Sequence, residues 1–236
     1  MHELTVITIT AASIGLLHTL LGPDHYLPFI VMARARKWSL VKTTCITALC
    51  GAGHVLSSII LGIIGIALGI SINKLGAIES FRGGLAAWLL IAFGAGYFIW
   101  GVIRARKSRP HVHWHAHGDT SMPIHKHTHS KDHLHLHKGE KAKNLTPWIL
   151  FTIFVFGPCE PLIPLLIYPA AKSSIFGLVL VTGVFGVVTI VTMLSIVILL
   201  SLGANLLPMG RLERYTHALA GATICLCGIA IRFLGL

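Results

Sequence analysis

Six long apolar runs constrain the fold of this chain more than any other feature. They occur at about residues 4–32, 43–70, 83–103, 147–171, 175–200 and 213–235, and each reaches the roughly 20 residues that an α-helix needs to cross a bilayer. The composition agrees, because 54% of the residues are hydrophobic and only 11% are charged. The runs predict an all-α polytopic membrane protein with six transmembrane helices.

The first run carries ionisable side chains at the depth of the membrane. His18, Asp24 and His25 lie near its end, although each such group costs roughly 2.5 to 3.5 kcal/mol on insertion and is rare without a functional role. Pro23 and Pro28 flank the Asp-His pair, and proline interrupts a helix because it lacks an N–H and clashes with the preceding turn. We therefore expect a broken first helix that lines a cavity.

The two halves of the chain resemble each other. Gly22-Pro-Asp-His-Tyr-Leu-Pro28 matches Gly157-Pro-Cys-Glu-Pro-Leu-Ile-Pro164 at an offset of about 135 residues, and Ile78-Glu-Ser-Phe81 matches Leu212-Glu-Arg-Tyr215 at nearly the same offset. The second copy has its own helix-breaking prolines, Pro158, Pro161 and Pro164. With three helices per half, the second half has to insert upside down. The pattern predicts two inverted three-helix repeats, residues 1–103 and 147–236, with proline-broken helices 1 and 4, joined by a loop at residues 104–146.

A metal site is predicted where the two broken helices meet. Cys159 and Glu160 would come opposite Asp24 and His25, and His54, which follows the small residues Gly51 to Gly53, would face a neighbouring helix. The predicted metal group is His18, Asp24, His25, His54, Cys159 and Glu160, with some members orienting the others. A structural alternative stays open: Asp24 caps a half-helix, the histidines bond between helices, and Cys159 is a small buried hydrophobe. Met1 and His2 are a further candidate, since an amine, an amide nitrogen and an imidazole can chelate nickel or copper.

The central loop, residues 104–146, is rich in histidine. Its repeated His-x-His spacing is a compositional signal for metal binding, and its polarity predicts disorder without metal. Imidazole nitrogens favour zinc, nickel, copper and cobalt over magnesium or calcium. The alternative is a solvated linker whose histidines only titrate. The loop residues predicted to buffer metal are His111, His113, His115, His117, His125, His127, His129, His133, His135 and His137.

The formal net charge is +11, and the positions of the basic residues indicate the membrane topology. The basic residues lie in loops and form no recognition motif, so nucleic acid is not an expected partner. The side that carries the loop 104–146 is the richer one, which places the loop in the cytoplasm and both termini outside, in a multi-pass cell (inner or plasma) membrane. Lys74, Arg82, Lys172 and Arg232 were assigned to the poorer side. The five cysteines are odd in number and mostly apolar in setting, so no disulfide framework is expected.

The His18-x5-Asp24-His25 pattern resembles the nickel/cobalt transporter superfamily, whose first signature is a histidine followed a few residues later by Asp-His on an early helix. The variant here is more similar to the urease-accessory and sulfite-exporter-annotated branch, and has five intervening residues where the family has four. The resemblance implies a six-helix core of two inverted repeats and transport of a divalent transition metal, with no enzymatic activity and no permanently bound cofactor.

The Gly157-Pro158-Cys159 stretch resembles the proline-flanked cysteine of the cytochrome c biogenesis thiol-disulfide transporters, a related fold. Those proteins need one such cysteine in each half, because electrons move as a dithiol/disulfide pair. Here the matching position in the first half is Asp24, and a carboxylate cannot exchange disulfides.

These observations predict a transporter of Ni²⁺ or Co²⁺, with Zn²⁺ as a third candidate, that works by alternating access. Its expected partners are the metal ion, the lipid bilayer and a cytoplasmic metallochaperone. Three alternatives stay open: a membrane thiol-disulfide electron transporter, an anion (sulfite-type) exporter, and a metal sensor or chaperone anchor built around the loop. Import and export are both compatible with the pattern, and the oligomeric state is left open.

Overall fold

The computed structural model describes residues 2–107, 145–159, 161–172, 174–206 and 210–235, and within these ranges the chain is helical without a strand. Its α-helices there are α1 His2–Leu21, α2 Leu27–Arg36, α3 Leu40–Ala67, α4 Ile72–Lys107, α5 Thr146–Phe156, α6 Leu162–Ala171, α7 Ile175–Leu206 and α8 Thr216–Ile229. Short 3-10 turns occur at Pro23–His25 and Gly210–Tyr215, and a π-helical turn follows α8 at Ala230–Leu234.

The apolar helices support the prediction of a membrane protein. Within the described ranges, five segments are long and apolar enough to cross a membrane: His2–Leu21, Leu40–Ala67, Ile72–Lys107, Ile175–Ala204 and Leu212–Leu234. The remaining apolar run, predicted at residues 147–171, is divided into the short helices α5 and α6. Large apolar side chains such as Val41, Phe81 and Leu199 point outward and are largely exposed, which suits lipid and would be costly in water.

The third apolar run differs from its predicted bounds. It was expected to begin at about residue 83, whereas α4 begins at Ile72. Lys74 and Arg82, which the topology count assigned to a loop, therefore lie inside a helix. The hydropathy pattern was misleading because Glu79 and Arg82 lower the local hydropathy, yet they form an ion pair across one turn that allows Glu79 to be fully buried.

Close helix contacts position the bundle. A Cβ added at Gly94 would overlap the backbone of Cys225, and one added at Gly101 would overlap Ala218. Later residues of α4 thus meet earlier residues of α8, so these two helices run antiparallel. Without side chains between them their backbones approach closely, as small residues permit in membrane bundles.

The second helix of each half makes a similar contact. An added Cβ at Gly51 would lie 3.5 Å from Ile190 Cγ1, and one at Gly186 would lie 3.1 Å from Val55 Cγ1. Helices α3 and α7 therefore also run antiparallel. The first, broken helices pack across the halves: α1 against α7, and α5 and α6 against α3. Both breaks approach His54 of α3: the His25 ring centroid lies 5.1 Å from that of His54, and a Cβ added at Gly157 would lie 3.0 Å from His54 Nδ1.

Candidate metal centre

The first helix break supplies two of the histidines. The amide of Gly22 donates to the carbonyl of His18 at 3.0 Å and closes the last turn of α1, after which Pro23 has no N–H to continue the ladder. The 3-10 turn Pro23–His25 follows, and α2 starts at Leu27 with Pro28 in its first turn, where proline is tolerated. His18 and His25 are thus held on either side of a short, sharply turned segment.

The second helix break lies beside the third histidine. Helix α5 ends at Phe156, and the amide of Gly157 donates to the carbonyl of Ile153 at 3.0 Å. In a continuous helix the next carbonyl, that of Phe154, would accept from residue 158, but Pro158 has no N–H. The Phe154 oxygen accepts the Gly157 amide instead, at 3.0 Å. The Nδ1 of His54, on α3, also lies 3.3 Å from that oxygen.

The imidazoles of His18, His25 and His54 converge on one point. Each residue offers one ring nitrogen, and these three nitrogens all lie within 4.8 Å of one another. The ring centroids are 4.8 Å apart for His18 and His25, and 5.1 Å apart for His25 and His54. The Nε2 atoms of all three are buried and have no hydrogen-bond partner among the described residues. Leaving buried polar atoms unpaired is costly, so the arrangement requires an explanation.

For two of the three imidazoles, those of His25 and His54, the contacts of Nδ1 show which ring nitrogen carries the proton. His25 Nδ1 lies 3.1 Å from the Gly22 carbonyl and 3.2 Å from Asp24 Oδ1, and His54 Nδ1 faces the Phe154 carbonyl. Because a carbonyl oxygen can only accept, both Nδ1 atoms donate, which leaves the lone pair on Nε2. Metal-binding histidines are typically held in this way, with the second ring N–H on a backbone carbonyl or a carboxylate.

A cavity of about 300 Å³ connects the two breaks. Its polar wall includes the three histidines, and Gly22 and Asp24 from the first break face Gly157 and Pro158 from the second. Its apolar wall is formed by Gly83, Ala86 and Leu90 of α4, Ile153 of α5, and Ile231 beyond α8. At roughly 30 Å³ per water molecule the cavity has space for an ion and several waters.

The histidine group would fit a transition-metal ion if the distances between its three nitrogens became slightly shorter. Metal–nitrogen bonds of about 2.0 to 2.1 Å put neighbouring ligand nitrogens roughly 3.0 to 3.4 Å apart. Movements of about 1 Å by the side chains would therefore bring three nitrogens onto one ion. Asp24, through its contact with His25 Nδ1, is placed to orient that ring and to add negative charge beside a cation.

The other predicted ligands have different outcomes. Cys159 is fully buried, but it lies outside the histidine group and packs with Ala11, Leu166 and Phe185. His2 is exposed at the start of α1. Glu160, Met1 and the loop histidines lie outside the described residues.

Sequence reasoning missed two residues next to this site, Glu79 and Arg82. Their carboxylate–guanidinium pair is separated by 2.5 Å, with the Glu79 side chain fully buried and that of Arg82 15% exposed. Glu79 Oε2 accepts the amide of Cys159, and Arg82 donates to the carbonyl of Val155. The available signal was an acid and an arginine three residues apart, between two apolar stretches of a single helix.

Comparisons of the chain with protein-family models, with curated proteins and with solved structures return no match. What the site binds is therefore inferred from the chemistry of its donor atoms.

Proposed function

We propose that this protein transports a divalent transition-metal ion, Ni²⁺ or Co²⁺ with Zn²⁺ as a third candidate, across a membrane by alternating access. The observation that carries the proposal is a group of three buried histidines between two helix breaks, with one ring nitrogen of each within 4.8 Å of the others and with all three Nε2 atoms unpaired among the described residues. A buried imidazole nitrogen without a hydrogen-bond partner is available to a metal cation, which is the ligand that neutral imidazoles bind.

The donor set favours borderline metals. Nitrogen ligands suit nickel, cobalt, zinc and copper, whereas magnesium and calcium prefer oxygen. The described residues place no thiolate in the group, because Cys159 lies elsewhere. Ions that need several sulfur ligands are thus less well served than Ni²⁺, Co²⁺ or Zn²⁺.

Reciprocal contacts support a pair of inverted repeats. Gly94 faces Gly221 and Cys225, while Gly228 faces Ala87 and Ile91. An offset of about 134 residues relates Gly94 to Gly228, Ala87 to Gly221 and Ile91 to Cys225, so each contact is the repeat counterpart of the other. Gly51 with Ile190 and Gly186 with Val55 are related in the same way on α3 and α7. Related helices run antiparallel, as a two-fold axis in the membrane plane requires. Two repeats that rock against each other around a central site are a common basis for alternating access.

The competing functions have less support from the described residues. Electron transfer through thiols needs a nearby pair of cysteines, yet Cys159 and Cys50 are unpaired and belong to separate apolar clusters. An anion exporter needs an available cation in the bundle, and Arg82, a largely buried basic residue, is already paired with Glu79.

The decisive experiment is metal flux into proteoliposomes. Uptake of Ni²⁺, Co²⁺, Zn²⁺ and Mn²⁺ would be measured for the intact chain under a pH gradient of either sign, and compared with Asp24→Ala and His18→Ala. We expect saturable flux of Ni²⁺ or Co²⁺ that both substitutions abolish, and a gradient dependence that reveals proton coupling, since metal and protons compete for the same lone pairs. His217→Ala is the matched control, because His217 lies outside the group and bonds the Tyr97 hydroxyl at 2.8 Å. Absence of flux under every gradient would overturn the proposal.

Deletion of residues 111–137 separates a transporter from a sensor. In the proposed arrangement the loop is cytoplasmic, buffers metal and receives it from or delivers it to a metallochaperone. Its removal is expected to shift the metal concentration at which flux saturates and to leave flux intact. Complete loss of function in cells on deletion, together with absence of flux from the intact chain in proteoliposomes, would instead favour a sensor or chaperone anchor.

A further inference from the structure

A buried ion pair fills the gap in the second broken helix. In a continuous helix the amide of Cys159 would donate to the carbonyl of Val155, four residues earlier. Here Cys159 N donates to Glu79 Oε2 at 3.3 Å, and the Val155 oxygen accepts from Arg82 Nη2 at 2.8 Å. The two halves of one missing helical bond are thus satisfied by the two members of one ion pair, which comes from α4.

The same pair reaches His54 by two routes. Arg82 Nη2 also donates to the Ser57 hydroxyl at 2.8 Å, and that hydroxyl donates to the carbonyl of His54 at 2.8 Å. Through Val155, Arg82 holds the carbonyl next to that of Phe154, the acceptor for His54 Nδ1. Both the backbone and the ring of His54 are therefore tied to the position of Arg82.

Packing at the break agrees with this role. A Cβ added at Gly83, adjacent to Arg82, would lie 2.7 Å from Pro158 Cγ, and one added at Gly157 would lie 3.0 Å from His54 Nδ1. The α4 segment around Gly83 thus packs against Pro158, and the adjacent Gly157 packs against the His54 ring. A buried ion pair is a weak source of stability, because desolvation offsets the attraction. Its placement in a helix break is better explained by the geometry that it imposes.

We infer that Glu79 and Arg82 are positioning residues for His54: they hold the second helix break in the conformation that directs His54 Nε2 toward His18 and His25. This inference rests on the proposed function, since the group that they position is the proposed metal group. The repeat counterpart of Glu79, Glu213, is exposed and pairs with Lys37 at 3.9 Å. Among the described residues, only the second break has a buried carboxylate–guanidinium pair that bonds its free backbone groups.

The test uses Co²⁺ as a probe, because its ligand-field absorption reports the coordinating atoms. The full chain would be purified in detergent and titrated with Co²⁺. The part of the Co²⁺ absorption that His18→Ala removes, the Co²⁺ component, would be assigned to the histidine group. This assignment separates the group from metal binding by the loop. Arg82→Gln is expected to weaken this component about tenfold or more, as loss of groups that orient metal ligands commonly does. In a His54→Ala background Arg82→Gln should have no further effect. The control Glu213→Gln removes an exposed carboxylate of the same repeat position and should change nothing.

Each result is informative. If the intact chain shows no component that depends on His18, the proposed function fails and this inference fails with it. If that component exists and Arg82→Gln leaves its affinity unchanged, only this inference is overturned. Equal weakening in the presence and absence of His54 would also overturn it, because the effect would then be general loosening.

Where Arg82→Gln does not yield monodisperse protein, Arg82→Lys serves the same purpose. Lysine keeps the charge beside Glu79, but it lacks the fork that bonds Glu79, Ser57 and Val155 together. We expect it to weaken the Co²⁺ component less than Arg82→Gln and again only when His54 is present.

Discussion

His54 Nδ1 lies 3.3 Å from the carbonyl oxygen of Phe154. That oxygen accepts the Gly157 amide at 3.0 Å but receives no bond from residue 158, because Pro158 has no N–H. A break in one helix therefore determines which nitrogen of a histidine on another helix carries the proton. The first break acts similarly, since the Gly22 carbonyl lies 3.1 Å from His25 Nδ1. In both cases Nε2 keeps its lone pair, and it is buried without a partner among the described residues.

Removing the third imidazole is expected to reduce metal binding. His54→Ala should weaken the His18-dependent Co²⁺ component by at least about tenfold, because the ion loses one of three nitrogen ligands. The measurement is a Co²⁺ titration followed by absorption. His217→Ala, which removes an imidazole elsewhere, should leave the component unchanged; equal losses in the two variants would contradict a specific role for His54.

Restoring the missing backbone donor is expected to compete with His54. The Phe154 carbonyl already accepts the Gly157 amide at 3.0 Å. In Pro158→Ala, residue 158 gains an N–H that can reach the same oxygen, so His54 Nδ1 meets a second competing donor. We expect flux in proteoliposomes to show a KM raised about tenfold with a smaller change in the maximal rate. Pro169→Ala, in α6, removes a helix proline away from the group and is the control. An unchanged KM in Pro158→Ala would show that the carbonyl does not orient the ring.

Adding a methyl group at the first break is expected to displace His25. A Cβ at Gly22 would lie 2.5 Å from His25 Nδ1 and 3.0 Å from Asp24 Oδ1, although the backbone angles there, φ −88° and ψ 94°, are open to alanine. Gly22→Ala should therefore fold and lose most of its metal flux.

The control for Gly22→Ala is Gly96→Ala, because an added Cβ at Gly96 meets nothing within 4 Å. This variant should behave as the intact chain does. Normal flux in Gly22→Ala would show that the ring can move without consequence.

Close contact between α4 and α8 is expected to be essential for stability. A Cβ at Gly221 would overlap the backbone of Phe98 and lie 2.7 Å from the Gly94 carbonyl oxygen. Backbone cannot give way as a side chain does, so Gly221→Ala should lower the free energy of unfolding by about 1 to 3 kcal/mol. Thermal unfolding in detergent measures this change. Gly84→Ala, on an open face of α4, should unfold as the intact chain does, and an equal effect would contradict the packing argument.

Much of the fold was accessible from local sequence properties. The apolar runs at about residues 43–70 and 175–200 correspond closely to α3 and α7, because the length needed to cross lipid is a property of one segment. The apolar run at about residues 83–103 begins later than α4, because Glu79 and Arg82 lower the hydropathy before it even though they pair with each other. A hydropathy profile sums the contribution of each residue separately. Whether a charged side chain can be buried depends instead on the groups that bond it.

The sequence by itself determined most of the apolar helices, the two helix breaks and which imidazoles are available, because proline geometry and apolar length act within short segments. Only the tertiary structure decided that the nitrogens of His18, His25 and His54 lie together, that Cys159 lies outside their group, and that Glu79 and Arg82 complete the second break. These outcomes depend on the rotation of each helix about its axis and on contacts between segments far apart in the chain. That information is expressed only when the helices pack.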